Sequence, residues 1–288
     1  MEDFSPLSRP LRIPLTIPNP EWLQDHRFLG QAMLPGVWAL EQLARVGGEA
    51  LPDIALTSCA AVQFDKFLAL PSPDIKVVDT VVDLTPSPEG SIEASLLTRH
   101  VAAKSGISRM KTQVRACFGQ SLDYGAQGSS RLLDDTAKDV FEVPPDRLYA
   151  EMVPFGRVFQ NIVSPVRLDA HGARAMVSGG NPRSEDASLK LGSPFPLDAA
   201  FHAACAWAQR YRGTVAFPVA LQQRLIRKLT GFAQHYEAQI RFRGEEEDRL
   251  LFDLSLNGAD GRLCEMVRGL AMRDVSGGKL RPPDWVRI

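Results

Sequence analysis

The chain is poor in most of the residues that announce a function. It has only four cysteines in 288 residues, Cys59, Cys117, Cys205 and Cys264. No two stand at C-x-x-C spacing, so neither a disulfide framework nor a cysteine metal centre is expected, and a reducing, cytoplasmic setting is. Aromatic residues make up 8% and the formal net charge is -1, which leaves no basic field to attract nucleic acid. No stretch approaches the ~20 apolar residues of a membrane helix. The start, Met1-Glu2-Asp3-Phe4-Ser5-Pro6, has no basic region followed by an apolar core, so an export signal is not expected either. The chain does have a hydrophobic content of 44%, enough to bury a substantial core.

Two segments read as helices. After Pro35, Val37, Leu40, Leu43 and Ala44 recur at helical spacing, with proline at the entrance and Gly47-Gly48 as the expected exit. The alanine-rich window Pro196–Tyr211 is the second. Each is followed by alternating or β-branched runs, near 60–70, 75–85, 91–102 and 107–119 after the first, and near 234–243, 249–256 and 263–274 after the second. Asn257–Gly261 reads as the hairpin turn between the last two. The stretch 121–145 has little periodicity and reads as a linker. An order of loop, single helix and antiparallel strands therefore occurs twice, and each lone apolar helix needs a sheet to cover it. The expected class is α+β, with units at 1–120 and 146–288.

Chemistry concentrates at the two helix entrances. His26 is followed by Gly30 and Pro35 in the pattern H-x3-G-x4-P, and Asp198 by His202 in D-x3-H. The first pattern is expected by chance about 0.03 times in this composition and the second about 0.3 times. A neutral imidazole, with its ordinary pKa near ~6.5, can accept a proton at cytoplasmic pH. A carboxyl group can act as its acid partner if burial keeps it protonated, and Phe195, Leu197 and Phe201 supply apolar neighbours. His202 lies one turn from Asp198 and can orient its carboxyl group. Backbone N–H groups near Gly30 are candidates to hold a developing oxyanion. The bland readings are a surface histidine, a helix-capping aspartate, a core histidine at 202, and packing roles for Phe155 and Phe159. Arg224, Arg227 and Lys228 read as a solvated face, with contact to an acidic partner as the alternative.

These motifs, with Phe155-Gly156-Arg157-Val158-Phe159-Gln160 between them, resemble the dehydratase domain of modular polyketide synthases. The resemblance spans roughly residues 15–276. It implies a double-hotdog fold, two antiparallel sheets each wrapped around a central helix. It also implies elimination of water from a 3-hydroxyacyl thioester carried on the phosphopantetheine of an acyl carrier protein, with His26 as base and Asp198 as acid. Gly30, Pro35, His202, Phe155, Gly156 and Phe159 become substrate-binding or orienting positions. No metal or organic cofactor is implied. The partners implied are an acyl carrier protein or synthase modules, and a homodimer is compatible with the family. The chain departs from the family pattern twice. Phe155-Gly-Arg-Val-Phe159 stands where Tyr-Gly-Pro-x-Phe is usual, and Phe217-Pro218-Val219-Ala220 where Leu-Pro-x-Ser is common. The alternatives are an enoyl isomerase or cyclase working on a related thioester, and a non-catalytic domain that binds a carrier protein.

Overall fold

Alternation of apolar and polar residues along many short segments builds one large antiparallel sheet. The protein is described by a computed structural model covering residues 9–87, 90–101, 107–120, 139–181 and 189–287. Twelve strands build the sheet: β1 Leu11–Pro18, β4 Ser58–Phe64, β5 Val77–Pro86, β6 Ile92–Val101, β7 Ser108–Phe118, β8 Phe141–Val143, β9 Val166–Asp169, β10 Gly172–Ser178, β11 Phe217–Ile226, β12 His235–Glu246, β13 Arg249–Asn257 and β14 Leu263–Arg273. A short hairpin, β2 Arg27–Phe28 and β3 Gln31–Ala32, stands apart. Across the sheet the order is β1-β5-β6-β7-β4-β11-β14-β13-β12-β10-β9-β8.

The two halves of the chain meet where β4 pairs with β11, with Leu221 opposite Val62 and Arg224 opposite Cys59. Inward residues such as Ile92, Ala94 and Leu96 on β6, or Leu250, Phe252, Leu254 and Leu256 on β13, are buried, as period-two patterning requires of a half-covered sheet. One helix covers each half. Helix α1, Gly36–Ala50, packs on β5, β6 and β7, and α2, Phe195–Arg212, packs on β9 to β13.

Both helices show how small residues permit close packing. Helix α1 does not leave at Gly47-Gly48 as expected. It runs on to Ala50 and closes through the Leu51 N–H to Gly47 O, and Gly48 serves as a packing position inside it. A Cβ at Gly48 would lie 2.9 Å from Leu56 Cδ1. Helix α2 is buried on nearly every side, and its alanines let the sheet approach. It ends at Gly213, whose φ of 61° is the left-handed cap that glycine adopts without steric cost. Trp207, on the helix itself, is fully buried, stacks on Phe242 with centroids 4.3 Å apart, and donates Nε1–H to Asp169 O.

Two buried acidic side chains, Glu265 and Glu41, anchor the interior. Arg224 is not part of a solvated face: it is 2% exposed and pairs with Glu265 of β14 through contacts of 2.7 and 3.2 Å. Its neighbours Gln223 and Leu225 are only half-buried. Arg227 and Lys228 are exposed. Glu41 of α1 accepts the N–H groups of Lys190 and Leu191, fastening the first helix to the segment that leads into the second. Of the expected linker, residues 121–138 lie outside the described residues, while Phe141–Val143 forms the edge strand β8 paired with β9.

Candidate active site

His26 is held by three local devices. It ends a short 3-10 turn, Glu21–Asp25, through its N–H to Leu23 O. It then enters the β2–β3 hairpin, whose two central residues Leu29 and Gly30 both have positive φ, 47° and 81°, as a two-residue primed turn requires. Its Nδ1 lies 3.0 Å from Met33 O. A carbonyl only accepts, so Nδ1 carries the hydrogen and Nε2 is left with a free lone pair. The ring stacks on Phe155 with centroids 4.4 Å apart and meets the edge of Phe159 at 5.1 Å. Burial pushes its pKa below the ordinary histidine value, against an upward pull from Asp198. The ring therefore stays neutral at neutral pH, as a base must.

The Phe155 face is presented by a close dock between two distant loops. Gly156 donates its N–H to Asp25 O at 2.8 Å, and Val158 donates its N–H to Asp25 Oδ2 at 3.1 Å. Asp25 comes so near that a Cβ at Gly156 would stand 2.3 Å from its Cγ. Glycine is needed there for approach. In this way the residue before the base and the residue after its stacking partner are fastened to each other.

Asp198 and His202 sit in the first turns of α2. The helix begins at Phe195, three residues before Asp198, and no side chain caps it, so Asp198 is not the N-cap. Asp198 is 5% and His202 4% exposed. His202 Nε2 approaches Asp198 Oδ2 to 3.2 Å but without hydrogen-bond alignment, leaving both atoms as buried polar groups with no partner among the described residues. On its other side His202 Nδ1 lies 3.4 Å from the hydroxyl of Tyr149, and that hydroxyl accepts the N–H of Ile162 at 2.9 Å. Tyr149 belongs to a π-helical turn, Leu148–Met152. The Phe155 ring also contacts His202, at 4.9 Å, so it lies against both histidines.

His26, Asp198 and His202 face one cavity that opens to the surface. Its remaining wall is apolar. Phe28, Phe67 and Phe217, half-buried and in mutual ring contact, stand at the open side. Phe201, Cys205, Ala216 and Met272 line the buried part. Gly36, the first residue of α1, also reaches the wall. The first intrahelical bonds of α1 run from Trp38 and Ala39 to Pro35 O, so the N–H groups of Gly36 and Val37 precede them and a helix N-terminus opens on the cavity.

Residues 134–282 match the family model described as Polyketide synthase dehydratase N-terminal domain. Residues 9–99 match the model of the Polyketide synthase dehydratase domain. The chain belongs to the polyketide synthase dehydratase family. Solved members of this dehydratase family share its fold. The dehydratase domain from the CurF module of curacin polyketide synthase superposes with a TM-score of 0.70 at 15% identity, covering 94% of this chain and 96% of that one. A trans-AT dehydratase domain from Brevibacillus brevis gives 0.69 at 17%, covering 93% and 94%. A bifunctional dehydratase-cyclase domain in ambruticin biosynthesis gives 0.67 at 20%, covering 93% and 92%. No curated protein sequence matches significantly. The double-hotdog expectation holds for this dehydratase chain.

The structure brings His26, Asp198, His202 and Phe155 to one cavity wall. Phe159 lies behind His26, 2% exposed. Gly156 orients the wall from outside. Gly30 and Pro35 are not on the cavity wall. Gly30 shapes the hairpin turn, where a Cβ would meet nothing within 4 Å, and Pro35 sets the helix entrance. The N-terminus of α1, beginning at Gly36, is the backbone that lines the cavity there. Sequence reasoning also missed Asp25 and Tyr149, whose roles arise from contacts 131 and 53 residues away (156 − 25 and 202 − 149). The spacing of Asp25 directly before His26 was the one visible hint.

Proposed function

We propose that the protein eliminates water from a 3-hydroxyacyl thioester to give a 2-enoyl thioester, a hydro-lyase reaction on a substrate delivered by the phosphopantetheine arm of an acyl carrier protein within polyketide or related fatty-acyl biosynthesis. One observation carries this reading: a neutral imidazole from one half and a buried carboxyl group from the other face the same apolar cavity. His26 Nε2 removes the C2 proton. The C2–H electron pair forms the C2=C3 bond, the C3–O bond breaks, and Asp198 gives the departing hydroxyl a proton so that it leaves as water. The proton gained by His26 balances the one lost by Asp198. No electrons leave or enter the substrate, so the step asks for no redox cofactor.

Three surroundings support these roles. The N–H groups that open α1 provide donors for the thioester oxygen as charge develops on it. Ile162 occupies one lone pair of the Tyr149 hydroxyl, and the phenolic hydrogen is then available to His202 Nδ1, which leaves the imidazole hydrogen on Nε2 toward Asp198. The apolar wall keeps bulk water from the buried carboxyl group.

The test is incubation of the purified protein with a 3-hydroxyacyl carrier-protein thioester, followed by mass spectrometry. Loss of water is expected, and His26→Ala or Asp198→Asn should each lower kcat by about 10²–10⁴-fold with the fold retained by circular dichroism. Turnover without mass change would assign isomerisation or cyclisation instead, because Asp198 would have no leaving group to protonate. Absence of turnover over several chain lengths would leave the carrier-binding reading in its place.

A further inference from the structure

We infer that the acyl chain accepted beyond the reacting carbons is apolar, with no hydroxyl or keto group past C3, and that the wall formed by Phe201, Cys205, Ala216 and Met272 enforces this choice. The inference rests on the dehydratase reading for what the substrate is, and on the cavity alone for its polarity. The side-chain polar groups of the cavity are gathered at one place, His26, Asp198 and His202. That cluster is committed to the C2 proton and the C3 hydroxyl. Past it the wall offers two aliphatic or small side chains, one thioether and one aromatic face, all 5% exposed or less. Cys205 adds little polarity. Its sulfur already accepts Gln209 Nε2–H at 3.4 Å, and burial pushes the thiol up to about 11, so it stays neutral.

The open side has the same character. Phe28, Phe67 and Phe217 meet with centroids 5.1 to 6.4 Å apart. An incoming chain therefore slides between aromatic rings before it reaches the acid and base. Where the family pattern carries leucine this chain has Phe217, which adds ring surface to the cavity wall. A polar substituent on the acyl chain would give up its water and meet no donor or acceptor in return. A hydrophobic pocket discriminates against an added hydroxyl by at most ~10²-fold, and the loss of an unpaired polar group predicts about ten- to a hundredfold here.

The experiment compares the pantetheine thioesters of 3-hydroxyhexanoate and 3,5-dihydroxyhexanoate as alternative substrates. A kcat/KM at least about tenfold higher for the first is expected, and equal values or a preference for the dihydroxy compound would overturn the inference. A second measurement does not depend on turnover: calorimetric binding of hexanoyl-pantetheine against 5-hydroxyhexanoyl-pantetheine, neither of which carries a 3-hydroxyl to eliminate. If neither 3-hydroxy compound reacts, the dehydratase reading fails, yet tighter binding of the hexanoyl thioester still upholds the apolar site and equal binding of the two sinks it. Cys205→Ser keeps the acceptor for Gln209 and adds a hydroxyl to the wall. It should narrow the preference by about threefold to tenfold, and an unchanged preference would show that this wall does not set it.

Discussion

Replacing Gly156 with alanine tests how firmly the base is positioned. The new Cβ would stand 2.3 Å from Asp25 Cγ and 2.5 Å from Oδ1. Relaxed carbon contacts lie at ~3.5–4.0 Å, so Asp25 must withdraw by about 1 Å. The backbone is no obstacle, since Gly156 has φ −67° and ψ 170°, a conformation open to alanine. Loss of the charge-assisted bond from Val158 N–H costs ~1.5–3 kcal/mol, and the stiffer unfolded chain returns ~0.4–1 kcal/mol. The net is a destabilisation of about 1–2 kcal/mol. At ~2–4 °C per kcal/mol for a chain of this size, Tm should fall by about 2–8 °C.

His26 is the next residue after Asp25, and a 1 Å misplacement of a reacting group costs ~10²-fold in rate. The variant should therefore remain folded at 25 °C while kcat on a 3-hydroxyacyl pantetheine thioester drops about a hundredfold. The decisive comparison uses an Asp25→Gly background, which removes the Cβ, Cγ and carboxylate that the new methyl group would strike. There Gly156→Ala should leave kcat unchanged and raise Tm by about 1–4 °C, the gain from the stiffer unfolded chain alone. Equal losses in both backgrounds, or undiminished kcat in the single variant, would refute the claim that this dock aims the imidazole.

Three further outcomes are expected. Burial holds His26 below the ordinary histidine value, so its protonation is disfavoured in the folded state; kcat/KM should stay level down to pH ~6.5 and bend only below it. The same shift adds stability above that pH which is lost as pH falls toward the folded pKa, and an acid limb centred above ~6.5 would contradict it. Tyr149→Phe leaves the Ile162 N–H without its acceptor and should cost ~1–3 kcal/mol in denaturant unfolding. It should also lower kcat several-fold, an effect that vanishes when His202 is glutamine, whose amide hydrogen does not depend on a tautomer. Glu265→Gln strands a buried guanidinium and should destabilise by ~3–5 kcal/mol while leaving the kcat of the remaining folded protein unchanged.

Elements with strong local pattern were legible in the chain, and elements defined by a neighbour were not. Both helices and seven strand-like runs could be read because apolar residues recur at their own period. Strand β1 could not: Pro14 and Pro18 interrupt Leu11–Pro18, and proline argues against a strand unless the strand lies at a sheet edge, as this one does. Pro218 hid β11 similarly, where a shift in the pairing with β14 beside it accommodates the ring. In the site, His26 and Asp198 stood out because both carry chemistry at helix entrances. Tyr149 gave no signal, because its value comes from a hydroxyl placed between the Ile162 amide and the His202 ring. Arg224 looked like solvated charge since nothing local reveals Glu265 on another strand.

The ladder that joins β4 to β11 has a consequence for dissection of the molecule. Neither the segment ending at 120 nor the one beginning at 139 closes its own sheet, and each made by itself would present a raw row of unpaired amides and carbonyls, a template for sticking to other chains. Supplied together, the two fragments would each be the other's missing neighbour. A cut between them is thus the place to build a split version whose activity returns only on reassembly.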